Sequence, residues 1–300
     1  MTSDPVSPSC FSLSFWLKLG LTLLLFAANS IFCRLALAEN LIAAGEFTVI
    51  RLSSGAITLV ILVWLSQAKA QPQQAGQVRV SWWGAIFLLV YAAGFSFAYL
   101  SLGAGLGALI LFAWVQITLF VASVVTGVKP TIGQWLGMLL ALLGLSVLFL
   151  PGSAWPELSA AALMTAAGIA WGAYTLLGKQ SGQGNVVWLS RQHFGRAALL
   201  SLLLVPWFNW SQPVSGVGIL LACLSGVVAS ALGYALWYSL LTKLTAVQAG
   251  LYQLTVPIIA SILGVVLLSE AWSWSLTLAS AMVLGGIAMA MVSAKTNPSQ

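Results

Sequence analysis

The stretch FAANSIFCR (26–34) is answered by WGAYTLLGK (171–179). A shift of 145 residues lays Phe26 on Trp171 and Arg34 on Lys179, and the same shift lays Arg51 on Arg196. Further on, a shift of 142 residues lays GAL (107–109) on AGL (249–251) and Gly144 on Gly286. The matching segments are almost wholly apolar. A doubled, apolar chain points to a membrane transporter whose substrate path lies between two related halves.

Composition supports lipid as the solvent. Of the 300 residues 60% are hydrophobic and 5% charged, against about 25% charged in an ordinary soluble domain. So few polar groups cannot cover a water-facing surface. The basic balance, eleven Lys and Arg against five acids, does not indicate nucleic acid, because the cations form no patch. The three cysteines, Cys10, Cys33 and Cys223, are sparse and far apart, which gives neither a disulfide framework nor a metal spacing. With no CxxC, HExxH or Walker loop, no metal or cofactor is expected. The first apolar run is longer than a signal-peptide core and lacks a basic region before it, so it reads as a retained helix.

A transmembrane helix needs about 20 mostly apolar residues. Ten such runs are found: 16–38, 45–67, 81–101, 105–126, 131–151, 158–178, 187–208, 216–239, 246–268 and 272–293. The expected fold is therefore an all-α membrane protein of ten transmembrane helices in two inverted five-helix repeats. Residues 1–15 form an N-terminal tail, 16–151 the first repeat and 152–157 a linker. The second repeat is 158–293 and the C-terminal tail 294–300. An odd number of helices per half makes the second half enter the membrane upside down. With the N-terminus cytoplasmic, the inner segments carry Lys18, Lys69, Arg79, Lys129, Lys179, Lys243 and Lys295. The outer loops carry Glu39, Glu157 and Glu270, so both termini are assigned to the cytoplasm. Twelve of the fourteen tryptophans, Trp237 among them, lie near run ends, as in an interfacial aromatic belt. Trp114 and Trp171 fall well inside.

The run ALGYALWY (231–238), then AVQAG (246–250), LTVP (254–257), LLSE (267–270) and Gly285-Gly286 resembles the second repeat of the drug/metabolite transporter superfamily, EamA type. Trp171-Gly172 with Lys179 and Arg196 resembles that repeat's opening. The likeness covers roughly 16–293 and is weaker in the first half. Val115 stands there where the family usually has Pro, and Val128 where it often has Glu. The resemblance implies a secondary transporter, often an exporter of amino acids, metabolites or drugs across the bacterial inner membrane. The partners it implies are a small-molecule substrate and lipid, with monomer and homodimer both open.

Arg51 and Arg196 lie inside apolar runs, where a charge costs a few kcal/mol and is seldom left facing lipid. They read either as clamps on backbone carbonyls at helix ends or as a site for a substrate carboxylate or phosphate. Arg34 and Lys179, near run ends, read as snorkelling cations. His193, the sole histidine, is a candidate for proton coupling, although Arg191 and Arg196 flank it. No acid falls at the predicted midplane: Glu46 is at the start of the second run and Glu270 in a loop. Facilitated diffusion or exchange without an intramembrane carboxylate is thereby favoured.

The remaining candidates are polar and aromatic residues within runs: Asn29, Tyr91, Tyr99, Trp114, Gln116, Trp171, Tyr174, Tyr234, Tyr252 and Gln253. A buried amide or phenol in lipid must find a partner or line a wet cavity. Each alone also reads as helix packing. As a set they suit an uncharged or zwitterionic organic substrate with an apolar body. Pro257 frees a carbonyl just beyond Tyr252 and Gln253. The pairs Gly133/Gly137 and Gly168/Gly172 have GxxxG spacing and read as close helix contacts within the monomer. An intramembrane protease is disfavoured, since there is no Gly-x-Ser-Gly and one histidine cannot build a metal cluster. An alternative within transport is an exchanger or importer of phosphorylated or nucleotide-linked metabolites, with Arg51 and Arg196 as anion clamps.

Overall fold

Hydrocarbon offers the backbone no water to bond to, so a chain in lipid must close its hydrogen bonds within each segment. Every regular element among the described residues is accordingly helical. The computed structural model describes residues 12–67, 81–127, 130–147, 157–180, 186–209 and 214–295. The predicted positions of Cys10, Lys69, Arg79, Val128, Lys129, Trp155 and Trp210 lie outside these residues, as does all of the linker except Glu157.

The first helices are α1 (Leu13–Ala38), α2 (Ala44–Gln67), α3 (Trp82–Ala98), α4 (Ala104–Val125) and α5 (Ile132–Val147). They are followed by α6 (Leu158–Gln180) and α7 (Val186–Ser201). Next come α8 (Gly216–Leu224), α9 (Gly233–Leu241), α10 (Ala246–Gln253), α11 (Val256–Leu268) and α12 (Trp274–Lys295). Six stretches are long and apolar enough to cross a membrane: Leu13–Ala38, Ala44–Leu65, Ala104–Val125, Leu158–Lys179, Gly216–Leu241 and Ala246–Leu268. Trp82–Ala98, Ile132–Gly144 and Thr277–Ala290 are shorter apolar helices. The outer faces carry large apolar side chains, such as Ile57, Ile61, Trp64 and Leu65, each at least half exposed. Apolar cover this extensive marks a surface made for lipid.

Three predicted continuous runs have internal changes of winding. The seventh gives way after Ser201 to a 3-10 stretch, Leu202–Trp207, which holds Pro206. Proline has no N–H for the carbonyl four residues back and its ring crowds that turn. The eighth run changes from α8 to a π-helical segment, Ser225–Leu232, before resuming as α9. The ninth breaks at Leu254-Thr255, and α11 opens with Pro257 in its first turn. The missing proline N–H leaves the Gln253 carbonyl without its ordinary i+4 donor.

Glycines set the closest crossings. A Cβ on Gly137 would run into the Gly286 carbonyl, so α5 and α12 meet backbone to backbone. A Cβ on Gly168 would strike the Leu111 carbonyl where α6 crosses α4. Both predicted GxxxG pairs thus pack inside one chain. Trp237 departs from the expected aromatic belt. It is fully buried and its ring meets Phe26 edge-on at 5.8 Å, because its face of α9 turns toward α1.

Candidate functional site

Arg51 is a charged residue inside the largely apolar α2 and is only 1% exposed. Gly226 lets the π segment come up against it: a Cβ there would strike the Arg51 carbonyl and the Ser54 hydroxyl. The Arg51 guanidinium donates from Nε to Ser230 Oγ at 3.1 Å. From Nη2 it donates to Tyr91 OH at 3.1 Å and Tyr234 OH at 3.2 Å. It also lies 5.0 Å from the Tyr91 ring centre and 5.1 Å from that of Phe95, and such contacts are worth ~2 kcal/mol or more when desolvated. Nη1 is buried and has no partner among the described residues.

Asn29 of α1 extends the network. Its Nδ2 donates to Tyr91 OH at 3.1 Å, and Ser225 Oγ donates to its Oδ1 at 2.6 Å. Ser225 and Ser230 both belong to the π segment. In an α-helix two residues five apart point about 140° away from each other. The i→i+5 winding brings them toward one face, which is how a single element serves Asn29 and Arg51 together. Such bulges are rare and concentrate at functional sites.

Aromatic rings close the other side. Phe26 stands edge-on to Trp171 at 5.5 Å and to Tyr234 at 5.9 Å. Trp171 also packs on Tyr234 at 4.6 Å and Tyr91 at 5.0 Å. The aligned residues Phe26 and Trp171 therefore touch each other. Trp171 Nε1 donates to Gln253 Oε1 at 2.6 Å, and Gln253 Nε2 donates back to the Ala249 carbonyl at 3.2 Å. Tyr174 continues the wall toward Tyr238 and His193, both 5.5 Å away. His193 is buried, with no partner for Nδ1 among the described residues, and lies against Gly84 at the start of α3.

Asn29, Arg51, Tyr91, Trp171, Tyr174, Tyr234 and Gln253 are thus one connected group. The other sequence candidates are elsewhere. Trp114 is 36% exposed, since the α4 face that carries it turns outward beside the Gly168 crossing. Tyr99 meets Phe95 edge-on at 4.6 Å and donates to the Ala104 carbonyl at 3.2 Å, tying the α3–α4 corner. Gln116 packs on Gly250 and borders a small apolar crevice with Leu109, Met138, Leu254 and Val283. Tyr252 meets Trp16 edge-on at 6.0 Å. Arg196 lies 4.7 Å from the Trp82 ring centre. Trp82 precedes Tyr91 by nine residues on α3, about 13 Å along the helix axis. Arg51 and Arg196 sit at different levels and do not form one clamp around a small anion.

The carbonyl-clamp role falls to the other cation pair. Arg34 Nη1 donates to the carbonyls of Tyr99 at 3.0 Å and Leu100 at 3.3 Å. Lys179 Nζ donates to the Leu244 carbonyl at 2.7 Å. Neither simply snorkels, because a helix end with unbonded carbonyls lies within reach. Tyr99 and Leu244 are related by the same 145-residue shift as Arg34 and Lys179. The two ends differ in their acids. Glu270 accepts from Ala104 N at 2.9 and 3.1 Å, at the positive end of α4, and lies 3.7 Å from Arg34 Nε. At the corresponding start of α10, Thr245 and Gln248 form a capping box instead.

Sequence reasoning passed over Ser225, Ser230 and Phe95. The signal for the serines was present as two hydroxyls five residues apart in an apolar run.

Residues 158–292 match the EamA-like transporter family. The uncharacterized protein PA1977 of Pseudomonas aeruginosa is 46% identical over 269 residues, covering 90% of this chain and 91% of its own. The chain belongs to the EamA-like transporter family. This places the protein among multi-pass membrane transporters of the drug/metabolite transporter superfamily. A crystal structure of a protein 20% identical to this EamA-like chain superposes with a TM-score of 0.70, covering 94% of this chain and 99% of the other. At that identity the likeness speaks for the fold.

Proposed function

We propose that this EamA-like protein is a secondary transporter, and specifically an exporter, of small organic metabolites such as amino acids or drug-like compounds. In this reading the chain crosses the bacterial inner membrane ten times as two inverted five-helix repeats, 16–151 and 158–293. Both termini are cytoplasmic, and the substrate passes between the repeats by alternating access. The observation that carries it is the buried polar group around Arg51, which both repeats build: Asn29, Arg51 and Tyr91 come from the first, Ser225, Ser230 and Tyr234 from the second. Polar side chains placed this deep in a lipid-solvated protein face the bundle interior and mark a solute path.

The relation between the halves has support in the packing. Arg34 to Tyr99 and Lys179 to Leu244 are the same bond made once in each repeat. The contact of α3 with α6 has its counterpart in that of α9 with α1, and α4 with α6 in α11 with α1. Residues that are related by a two-fold axis touch only near it, and Phe26 and Trp171 do so. Two similar bonds that close opposite ends of one path allow each end to open in turn.

The test is reconstitution of the full chain in liposomes with a panel of labelled amino acids, organic acids and dyes, with and without a pH gradient. Saturable flux above protein-free liposomes is expected, and flux that ignores the gradient agrees with the lack of an acid beside Arg51 among the described residues. Reporter tags placing the two termini on opposite faces would overturn the ten-crossing arrangement.

A further inference from the structure

We infer that the substrate carries a single negative charge, as a carboxylate on an apolar or aromatic body, and that Arg51 Nη1 receives it. This deepens the transporter reading and rests on it. The inference starts from a charge without a counterion. Among the described residues Arg51 makes no ion pair: its partners there are three hydroxyls, on Ser230, Tyr91 and Tyr234. The chain's five acids are Asp4, Glu39, Glu46, Glu157 and Glu270, and none of the described four bonds to it. Glu46, the nearest in sequence, accepts from Ala43 N at the start of α2, and Glu270 is engaged with Ala104 N and Arg34. A buried cation in lipid normally pairs with an acid or with carbonyls, and this one has neither among the described residues.

The donor geometry narrows the ligand. Nε and Nη2 are held by protein hydroxyls, which fixes the guanidinium plane and leaves Nη1 as the open donor. One fixed cation with one free nitrogen matches one oxyanion. A phosphate monoester carries about −1.5 to −2 charge at neutral pH, and the second arginine that would balance it is held over Trp82, some 13 Å further along α3 by helix rise. A substrate cation would be repelled by Arg51. The rings of Phe26, Tyr91, Phe95, Trp171 and Tyr234 around the group suit an apolar or aromatic body behind the carboxylate.

A matched indole series tests this. The full chain in liposomes is offered labelled indole-3-acetate, indole-3-ethanol and tryptamine, with phenyl phosphate as the dianion, and protein-free liposomes are subtracted. Binding of the same compounds to the detergent-solubilised protein is measured in parallel by equilibrium dialysis. Binding and flux of indole-3-acetate well above the other three are expected. Arg51→Gln is expected to lose about ten- to a hundred-fold in indole-3-acetate affinity, the worth of one charge-assisted hydrogen bond, while Arg51→Lys keeps part of it. The selectivity of the unaltered protein decides the matter even if the Arg51 variants do not fold. Preference for the alcohol, the amine or the phosphate overturns the inference. So does full indole-3-acetate affinity in a folded Arg51→Gln variant. Selective carboxylate binding without flux would leave the ligand assignment standing and refute the transporter reading. Neither binding nor flux of any member would overturn the inference, while the transporter reading would stand or fall on the wider panel.

Discussion

Removing the phenol hydroxyls of Tyr91 and Tyr234, singly and together, probes whether Arg51 is held as described. Tyr→Phe keeps each ring, and with it the contact between the guanidinium and Tyr91. Tyr234→Phe leaves Arg51 Nη2 with its bond to Tyr91, so the loss is that of one shared bond, ~0.5–1.5 kcal/mol. Tyr91→Phe leaves Nη2 with Tyr234 but strands Asn29 Nδ2, whose acceptor is Tyr91 OH, and a stranded buried donor costs ~1–3 kcal/mol. The double variant strands Nη2 itself, a donor on a buried charge. Its cost is expected to exceed the sum of the single losses by ~1–2 kcal/mol, inside the ~0.5–3 kcal/mol range for residues that share a partner. That coupling is larger than the ~0.6 kcal/mol average of hydrogen bonds in membrane proteins, because the shared donor is charged. Unfolding free energies from SDS titration in mixed micelles give the four corners of the cycle. Additivity to within ~0.3–0.5 kcal/mol would mean that the two phenols do not share Nη2, and the description of the site would fail.

The two glycine environments predict opposite outcomes. Gly226→Ala pushes a methyl into the Arg51 carbonyl and the Ser54 hydroxyl and should sharply reduce the folded, monodisperse fraction on size exclusion. Gly20→Ala, on α1 with nothing within 4 Å of its new Cβ, should gain up to ~1 kcal/mol from helix propensity. Arg34 ties its end of α1 to the Tyr99 and Leu100 carbonyls, and Cys33 beside it in sequence is fully buried. With Cys10 and Cys223 replaced by Ser, Arg34→Ala should raise the maleimide labelling rate of Cys33 by about tenfold if those bonds contribute ~1.4 kcal/mol. An unchanged rate would show that Arg34 does not hold that end shut. Thr245→Val removes the capping box of α10 and should cost ~1 kcal/mol in the same SDS titration.

Much of the site was legible in the residues. A phenol, an amide or a guanidinium inside an apolar run must be satisfied by a neighbour, so Asn29, Arg51, Tyr91, Trp171, Tyr234 and Gln253 stood out one by one, and they meet. The same reasoning placed Trp114 with them, because a tryptophan well inside a run looks like a lining residue until the face it occupies is known. It also paired Arg51 with Arg196, since alignment of the repeats says that two residues are equivalent and nothing of how far apart they end. The carbonyl-clamp reading was given to Arg51 and Arg196, and snorkelling to Arg34 and Lys179, for a related reason. Distance from a run's end shows how far a side chain could reach toward headgroups, and does not show that a carbonyl of Tyr99 or Leu244 waits nearer.

Lipid as solvent, helices as the building element and the short list of polar residues that could not be idle all followed from the order of the amino acids. These depend on composition and on periods that repeat along the chain. The tertiary structure decided the π winding that turns Ser225 and Ser230 to one side, the separation of the two arginines, and the hydroxyl partners that Arg51 has in place of an acid among the described residues. These are distances between segments far apart in sequence, and they are set by which helix faces can approach closely enough to exclude lipid.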